Sequence, residues 1–598
     1  MGATESTADI ERNNRLPQDC SGRSADVKHA VAALILTSLL YLYWSVSGSL
    51  YIYLDNMTVS MVSAGMFGEG YFCQYIHPLL NVLVYGLSRI MFFADAFALI
   101  MHIVLFFGVF MITLMGIGIV FRTSVKSWKL GDWILAVLML LSVLFFAVSM
   151  NIWGVNYTVQ TAAILFSGLV TLTGASVLNK GKTWIVAGTV LIAFGYMVRL
   201  ETALLFIPFI SLELIAGILN SGEKRAAVRK AFRHYGAALL AAAILLASKG
   251  VFNSFEPYAS DNRYTAYRTV VEDYPMAPYA ASGAEEAGID QTTYDLVCGN
   301  WVLFDTDRID AVTLKSIAES GGRNAFDYDL QGLQGALGEI GRRLRETDIY
   351  LLILALITCL LTIGNLLSAR SKYLKCEAVF AFLGGFVILL YFTFRGRALF
   401  RVWQTVLLAI NAVLVCNTFR IRQERQEAEP VAAGKRSTAQ TLIMLLMCIL
   451  LYYSAGQVIA HTSFHSPISP LTSRINADDS VYEETYEGDG LYLWSNWYLM
   501  IPSHFADQNK LPTQRVIDHN IPVGDWIYGQ VYFREYLAER NADNPAAALV
   551  GRPDTYLMDG FVGNLLEYMR EFYGEDLTLT EAGEINGVTA YRFTHGNG

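Results

Sequence analysis

The chain has 598 residues, of which 54% are hydrophobic and 16% charged, and its formal net charge is −9. Soluble domains carry about 25% charged residues, so the composition excludes an ordinary soluble globular protein, and no nucleic-acid partner is expected. The seven cysteines show no metal-type spacing; only Cys73 and Cys298 fall in polar loops of the face argued below to be external, where a disulfide between them is open.

Residues 1–30 form a polar N-terminal tail, and an apolar run from Val31 to Tyr53 is too long for the core of a signal peptide. It reads as an uncleaved first span. Further apolar runs predict spans near 96–121, 133–150, 158–178, 183–200, 202–219, 236–253, 349–368, 376–394, 400–418 and 440–460. With this division Lys and Arg collect on one side: Arg12, Arg15, Arg23 and Lys28 in the tail, then Arg122, Lys126 and Lys129, Lys224 to Arg233, and Arg420 to Arg436. Cytoplasmic loops carry that bias, so the N-terminus is expected inside. The loops 54–95 and 254–348 and the C-terminal region are expected outside.

The stretch "HPLLNVLVYGLSRIMFF" (77–93) is apolar enough to suggest a span, but a crossing there would invert every later basic loop. It is therefore expected to lie as a helix in the membrane interface. Residues 424–437, "ERQEAEPVAAGKRS", read as a flexible linker. Residues 461–598 predict a small external α/β domain. In it "AAALVG" (546–551) suits a buried strand, "FVGNLLEYMREFYG" (561–574) has helical spacing, and a hairpin turns at Asn586-Gly587. The expected fold class is thus mainly α: a polytopic helical membrane protein of about eleven spans (31–460) with a small C-terminal α/β domain.

Charged residues at the rim of the membrane, on the expected outer face, carry the functional signal. Asp55 follows the first span, with Glu69 further along the same loop; Arg199 and Glu201 separate two spans almost without a loop; Arg395, Arg397 and Arg401 crowd a third junction. If that junction is helical, Arg397 and Arg401 share a face, whereas Arg199 and Glu201, two apart on a helix, would not face each other. Three arginines at an external border oppose the positive-inside bias and ask for an anionic partner. Arginine matches phosphate with its fork of donors, and a positioned carboxylate can take the proton of an attacking hydroxyl. Each residue also has a plainer reading: Asp55 as a helix stop, Arg199 and Glu201 as structural ions, the arginine trio on ordinary lipid headgroups. His77 reads as a packed interfacial histidine or a ligand-side residue. His461 and His465 have a metal-capable spacing only if helical.

Several stretches together resemble the GT-C superfamily of polytopic glycosyltransferases, and more closely a large group of bacterial membrane proteins of that kind. These are the Asp-ended first span with its glycine-bearing loop, "VNYTVQTAAILFSG" (155–168), "MVRLETALLFIPF" (197–209), "DNRYTAYRTVVEDYP" (261–275), "GIDQTTYDLVCGNWVLFD" (288–305) and "RGRALFRV" (395–402). The chain departs from the pattern at Asn56, where a second acid is common, and at Leu399, where a proline is common. The resemblance implies an inverting glycosyltransferase in the bacterial cytoplasmic membrane. It would move a sugar from a polyprenyl-phosphate donor to a cell-surface glycan. Asp55 is then the expected base and Glu69 a second acid. Arg199, Glu201, Arg395, Arg397, Arg401 and His77 are expected around the lipid phosphate, and Tyr274 and Trp301 against sugar rings. One acid beside an amide favours a reaction without a firmly held metal, and no cofactor is expected. A flippase for lipid-linked saccharide and a non-catalytic envelope assembly protein are the alternatives.

Overall fold

The computed structural model describes residues 20–47, 54–68, 70–91, 95–120, 157–299, 305–346, 349–397, 399–428, 490–494, 511, 514–523, 526–558, 563–585 and 588–596. It is a multi-pass helical membrane protein with a small C-terminal α/β sheet. The expected spans 133–150 and 440–460 lie outside the described residues. The helices are α1 (Cys20–Ser47), α2 (Leu54–Ser63), α3 (Pro78–Ile90), α4 (Ala96–Val120), α5 (Tyr157–Val177), α6 (Lys182–Val198), α7 (Leu200–Leu219) and α8 (Lys224–Phe252). The 254–348 loop then supplies α9 (Tyr258–Asp273), α10 (Gln291–Cys298), α11 (Ala311–Gly321) and α12 (Leu330–Glu346) before α13 (Ile349–Ser368), α14 (Lys372–Phe394) and α15 (Phe400–Ala428).

Among the described residues seven helices are long and apolar enough to cross a membrane: α4, α5, α7, α8, α13, α14 and α15. Large apolar side chains stand exposed along them, among them Ile207, Leu240, Leu356 and Val387. In a soluble protein such surfaces would aggregate; here they face lipid. The inner helices differ. Every residue of α5 but Ser176 is buried. Packing without a hydrophobic drive favours small residues and internal hydrogen bonds, and both are present. A Cβ on Gly168 of α5 would lie 2.6 Å from Ile192, and one on Gly188 of α6 would lie 2.7 Å from Leu172, so these two glycines let α5 and α6 approach closely. Between α13 and α15, Asn365 Nδ2 donates to the Leu414 carbonyl at 3.0 Å and Asn411 Nδ2 to Thr358 Oγ1 at 2.9 Å.

Three boundaries run well past expectation. Helix α1 starts at Cys20 rather than 31, inside the stretch read as a polar tail; α8 starts at Lys224 rather than 236; and α15 continues to Ala428, into the segment read as a linker. The Lys, Arg and Ala of 224–235 and the Arg, Gln, Glu and Ala of 419–428 are strong helix formers and prolong a span into water. The stretch 77–93 holds the 13-residue helix α3, about 20 Å long, which is too short to span. Leu79, Val82, Leu83 and Ile90 are exposed on one side of it and Leu80, Asn81 and Val84 buried on the other, the pattern of a helix lying in an interface.

The C-terminal domain adds β1 (Leu491–Trp494), α16 (Gln514–His519), β2 (Asn520–Pro522), α17 (Val531–Ala538), α18 (Pro545–Gly551), β3 (Thr555–Met558), α19 (Gly563–Tyr573), β4 (Leu577–Ile585) and β5 (Val588–His595). The sheet order is β2-β1-β3-β5-β4; β1 runs parallel to both neighbours, and β3-β5 and β5-β4 are antiparallel. Ile585 pairs with Val588, so the hairpin closes over two residues as expected, though Asn586 and Gly587 themselves lie outside the described residues. The run 546–551 is a helix, not a strand. Asn544 caps it by accepting from Ala547 N, Pro545 opens it, and its alanines favour the helix.

The three segments expected on one face do pack together. Tyr532 of α17 donates to the Phe72 carbonyl at 2.8 Å, and Phe67 meets Phe533 edge-on at 5.0 Å. The buried Asp305 carboxylate accepts from Asn544 (2.9 Å), Tyr568 (2.9 Å) and Tyr573 (2.8 Å), which ties the 254–348 loop to the C-terminal domain. Cys73 and Cys298 are free thiols, and burial pushes the Cys73 thiol up to about 12.

This docking has two measurable consequences. Asp305→Ala removes the acceptor of the buried Tyr568 and the half-buried Tyr573, while Asn544 keeps its bond to Asp307, so it is expected to destabilise the domain contact by about 2 kcal/mol and to expose the C-terminal domain to limited proteolysis. Asp261 of α9 is buried against α17, where burial pushes its carboxyl up to about 7 despite Arg534. An acid raised in the folded state binds more protons folded than unfolded between its ordinary value and about 7, so stability falls as pH rises through that window. Thermal unfolding followed from pH 4 to 8 should show this slope, and Asp261→Asn should flatten it.

Candidate functional site: a cationic cluster at one end of the helix bundle

The site begins with the turn between α6 and α7. Arg199 ends one helix and starts the next in an extended conformation, φ −151°. Because it lies outside the helical geometry, its side chain folds back: Arg199 Nε lies 3.6 Å from Glu201 Oε2. The expectation that these two could not face each other assumed a continuous helix, and the extended turn removes that premise. The guanidinium of Arg199 sits 4.5 Å from the centre of the Tyr157 ring and 5.5 Å from that of Tyr75. Tyr157 is the first residue of α5, so the most buried helix in the bundle provides the seat for this arginine.

Lys249, near the end of α8, completes this half. It is 5% exposed, and its Nζ donates to the Tyr75 carbonyl at 3.2 Å. By sequence it passes for the tail of a span; a lysine just before the end of an apolar helix, in "LASKGVF", was the available signal. His77 caps α3: its Nδ1 accepts from Leu79 N, so Nε2 carries the proton and faces the Leu245 carbonyl (3.2 Å) and Ser248 (3.0 Å). Burial lowers the imidazole's pKa, which favours this neutral form. The ring therefore pins the 64–77 loop to α8, within a helical turn of Lys249.

The second half joins α14, α15 and the end of α9. Arg395 caps α14, Gly396 turns the chain with φ +77°, and α15 begins only at Phe400. The junction is thus not helical, and Arg397 and Arg401 do not share a helical face; Arg401 lies in the first turn of α15. Arg397 pairs with Asp273 at 2.6 Å and donates to the Tyr274 hydroxyl at 3.4 Å. Arg395 donates to Asn324 at 2.7 Å. Both guanidinium groups lie against the Tyr274 ring, at 4.8 and 5.4 Å from its centre. Tyr274 thus organises the arginines.

Glu201 links the two halves, since its carboxylate lies within electrostatic reach of Arg199, Lys249 and Arg397. Four cations (Arg199, Lys249, Arg395 and Arg397) therefore share the region with two carboxylates, Glu201 and Asp273. Asp55 lies in the first turn of α2, and its side chain, Glu69 and Trp301 lie outside the described residues. Helix α2 is held to α4 by Asp95, which accepts from Ala98 N at 3.0 Å and bonds Ser60, while burial pushes its carboxyl up to about 6. Among the described residues no group of three or more His, Cys, Asp or Glu could hold a metal ion, and His461 and His465 lie outside them.

A double-mutant cycle between Asp273→Asn and Arg397→Gln, read by thermal unfolding, is expected to give a coupling of about 1–2 kcal/mol. Additive effects would show that the pair does not act as a unit.

No protein-family model matches the chain, and no curated protein matches it by sequence. Solved structures with a similar course include ArnT from Cupriavidus metallidurans bound to undecaprenyl phosphate. It is 10% identical, with a TM-score of 0.39 over 93% of this chain and 97% of that one. The archaeal oligosaccharyltransferase AglB from Archaeoglobus fulgidus, in complex with an inhibitory peptide and a dolichol-phosphate, is 12% identical, with a TM-score of 0.38 over 93% of this chain and 72% of that one.

Proposed function

We propose that the chain is an integral-membrane glycosyltransferase of the GT-C kind, which transfers a sugar from a polyprenyl-phosphate donor to a cell-surface glycan on the outer face of a bacterial cytoplasmic membrane. The observation that carries the reading is the pair of cationic groups built on two tyrosines, Arg199 and Lys249 on Tyr75 beside Glu201, and Arg395 and Arg397 on the Tyr274 ring. A cationic surplus beside lipid is costly unless an anion joins it. A phosphate carried on a lipid tail supplies one at that depth.

The chemistry explains why a surplus of charge is useful. In the donor the phosphate is a diester with one negative charge. The acceptor hydroxyl attacks the anomeric carbon, the carbon–oxygen bond to phosphate breaks, and the phosphate leaves with the bonding pair as a monoester of higher charge. Charge therefore grows on the leaving group, and fixed guanidinium and ammonium groups stabilise that growth more than they stabilise the donor. Asp55 takes the proton of the attacking hydroxyl in this reading, and Glu69 is a second acid in the same loop. Arg395 and Arg401 extend the cationic rim. Tyr274 fixes the geometry of two arginines, and His77 fixes the loop that carries Tyr75.

Asp55→Asn is expected to abolish sugar transfer in purified protein given a polyprenyl-phosphate sugar, while membrane insertion and thermal unfolding stay unchanged; full activity would end its role as base. Lys249→Met and Arg397→Ala should each weaken donor binding by about tenfold, the worth of one charge-assisted hydrogen bond. Movement of lipid-linked saccharide across liposomes without any transfer would point to the flippase instead.

A further inference from the structure

Five helices meet around a second group of charges, about 20 Å along α7 from Arg199 by helical rise. Glu213 of α7 and Glu377 of α14 are both buried. Glu213 Oε1 accepts from Arg420 Nη2 of α15 at 2.6 Å and from Thr173 of α5 at 2.8 Å, and the same threonine hydroxyl bonds the Tyr235 hydroxyl of α8 at 2.7 Å. The Cys416 thiol of α15 lies beside Thr173. The Glu377 carboxyl lies within hydrogen-bond reach of Glu213. None of these groups takes part in the proposed transfer.

Two carboxyl groups here share one cation. Arg420 hydrogen-bonds Glu213 and not Glu377: both Glu377 oxygens, Oε2 of Glu213 and Nη1 of Arg420 are buried without a hydrogen-bond partner among the described residues. With both acids ionised, the two carboxylates would face each other with no donor between them. A net negative charge would also be left among apolar helices, where it is strongly disfavoured. Tyr235 and Cys416, the other titratable groups facing the pair, bring no positive charge.

A metal cation between the acids would be repelled by the guanidinium and would need a cavity. A proton needs neither room nor further ligands. It makes the triad neutral, turns Glu377 into a donor and gives the stranded side of Glu213 a partner. We propose that Glu213 and Glu377 share a single proton, carried on Glu377 and donated to Glu213. The acid pair then clasps α14 to α7 at a distance from the cations of the transfer site, and Arg420 balances the one charge that remains.

The test uses the full chain in lipid nanodiscs at neutral pH, with infrared difference spectra between wild type and each single variant. Wild type is expected to show the carbonyl stretch of one undissociated carboxylic acid that Glu377→Gln lacks. Glu213→Gln should lack it too, because Glu377 then ionises against Arg420. In thermal unfolding each single variant should stay within about 2 °C of wild type, whereas the double variant, which leaves Arg420 without a counter-ion, should fall by about 5 °C or more. The infrared comparison needs only the single variants, so it stands even where the double variant fails to fold. Three results would overturn the proposal: no acid band lost in either variant, which means that both groups are ionised; a band kept in Glu213→Gln, which means that Glu377 holds its proton alone; or stabilisation of wild type by sodium that Glu377→Gln abolishes, which puts a metal cation in place of the proton.

Discussion

Helix α5 has no face for lipid, and much of the molecule is arranged around that constraint. A helix buried on every side in a membrane must find partners for each polar side chain within the protein, because no water reaches it. Two of its interior hydroxyls turn back on their own backbone: Thr161 donates to the Tyr157 carbonyl at 2.7 Å and Ser167 to that of Ala163 at 2.8 Å. Its two ends reach outward instead. Tyr157 at one end lies against Arg199, and Thr173 near the other donates to Glu213, the partner of Arg420. One rigid element thus sets the position of charge at both ends of the bundle.

The positive charges near lipid are held by two kinds of support. Arg199, Arg395 and Arg397 lie against tyrosine rings, where a cation gains about 0.5–2 kcal/mol, and Arg199 and Arg397 also meet the carboxylates of Glu201 and Asp273. Arg420 meets the fully buried Glu213, where the attraction must offset the burial of both ions.

Seven of the eleven expected spans stand as long apolar helices, legible because a run of about twenty apolar residues matches the thickness of a bilayer's hydrocarbon core. The interfacial helix α3 was legible through charge bias, not hydropathy. Less legible were contacts that join distant segments. The stretches ending Asp273-Tyr274 and beginning Arg395 stand apart in the chain, and nothing in either announces that one aromatic ring serves both arginines. Asp305 closes a recognisable stretch, yet its three donors come from the far end of the chain. Lys249 escaped notice because a single charge near the end of an apolar run reads as a span terminus. The strand expected at 546–551 failed for a local reason: a buried apolar run of that length is compatible with either periodicity, and the Asn-Pro start decides for helix.

Tyr75 is shared among three neighbours. Its carbonyl takes Lys249, its ring lies against Arg199, and the Trp526 indole of the C-terminal domain meets that ring edge-on at 4.7 Å. The distal cap is thereby in mechanical register with the cations at the lipid border, although some 450 residues of chain separate the two rings. A bulky substrate that nudged the cap would tug on the same tyrosine that steadies those charges, so engagement of one reactant and readiness for the other would share a single hinge.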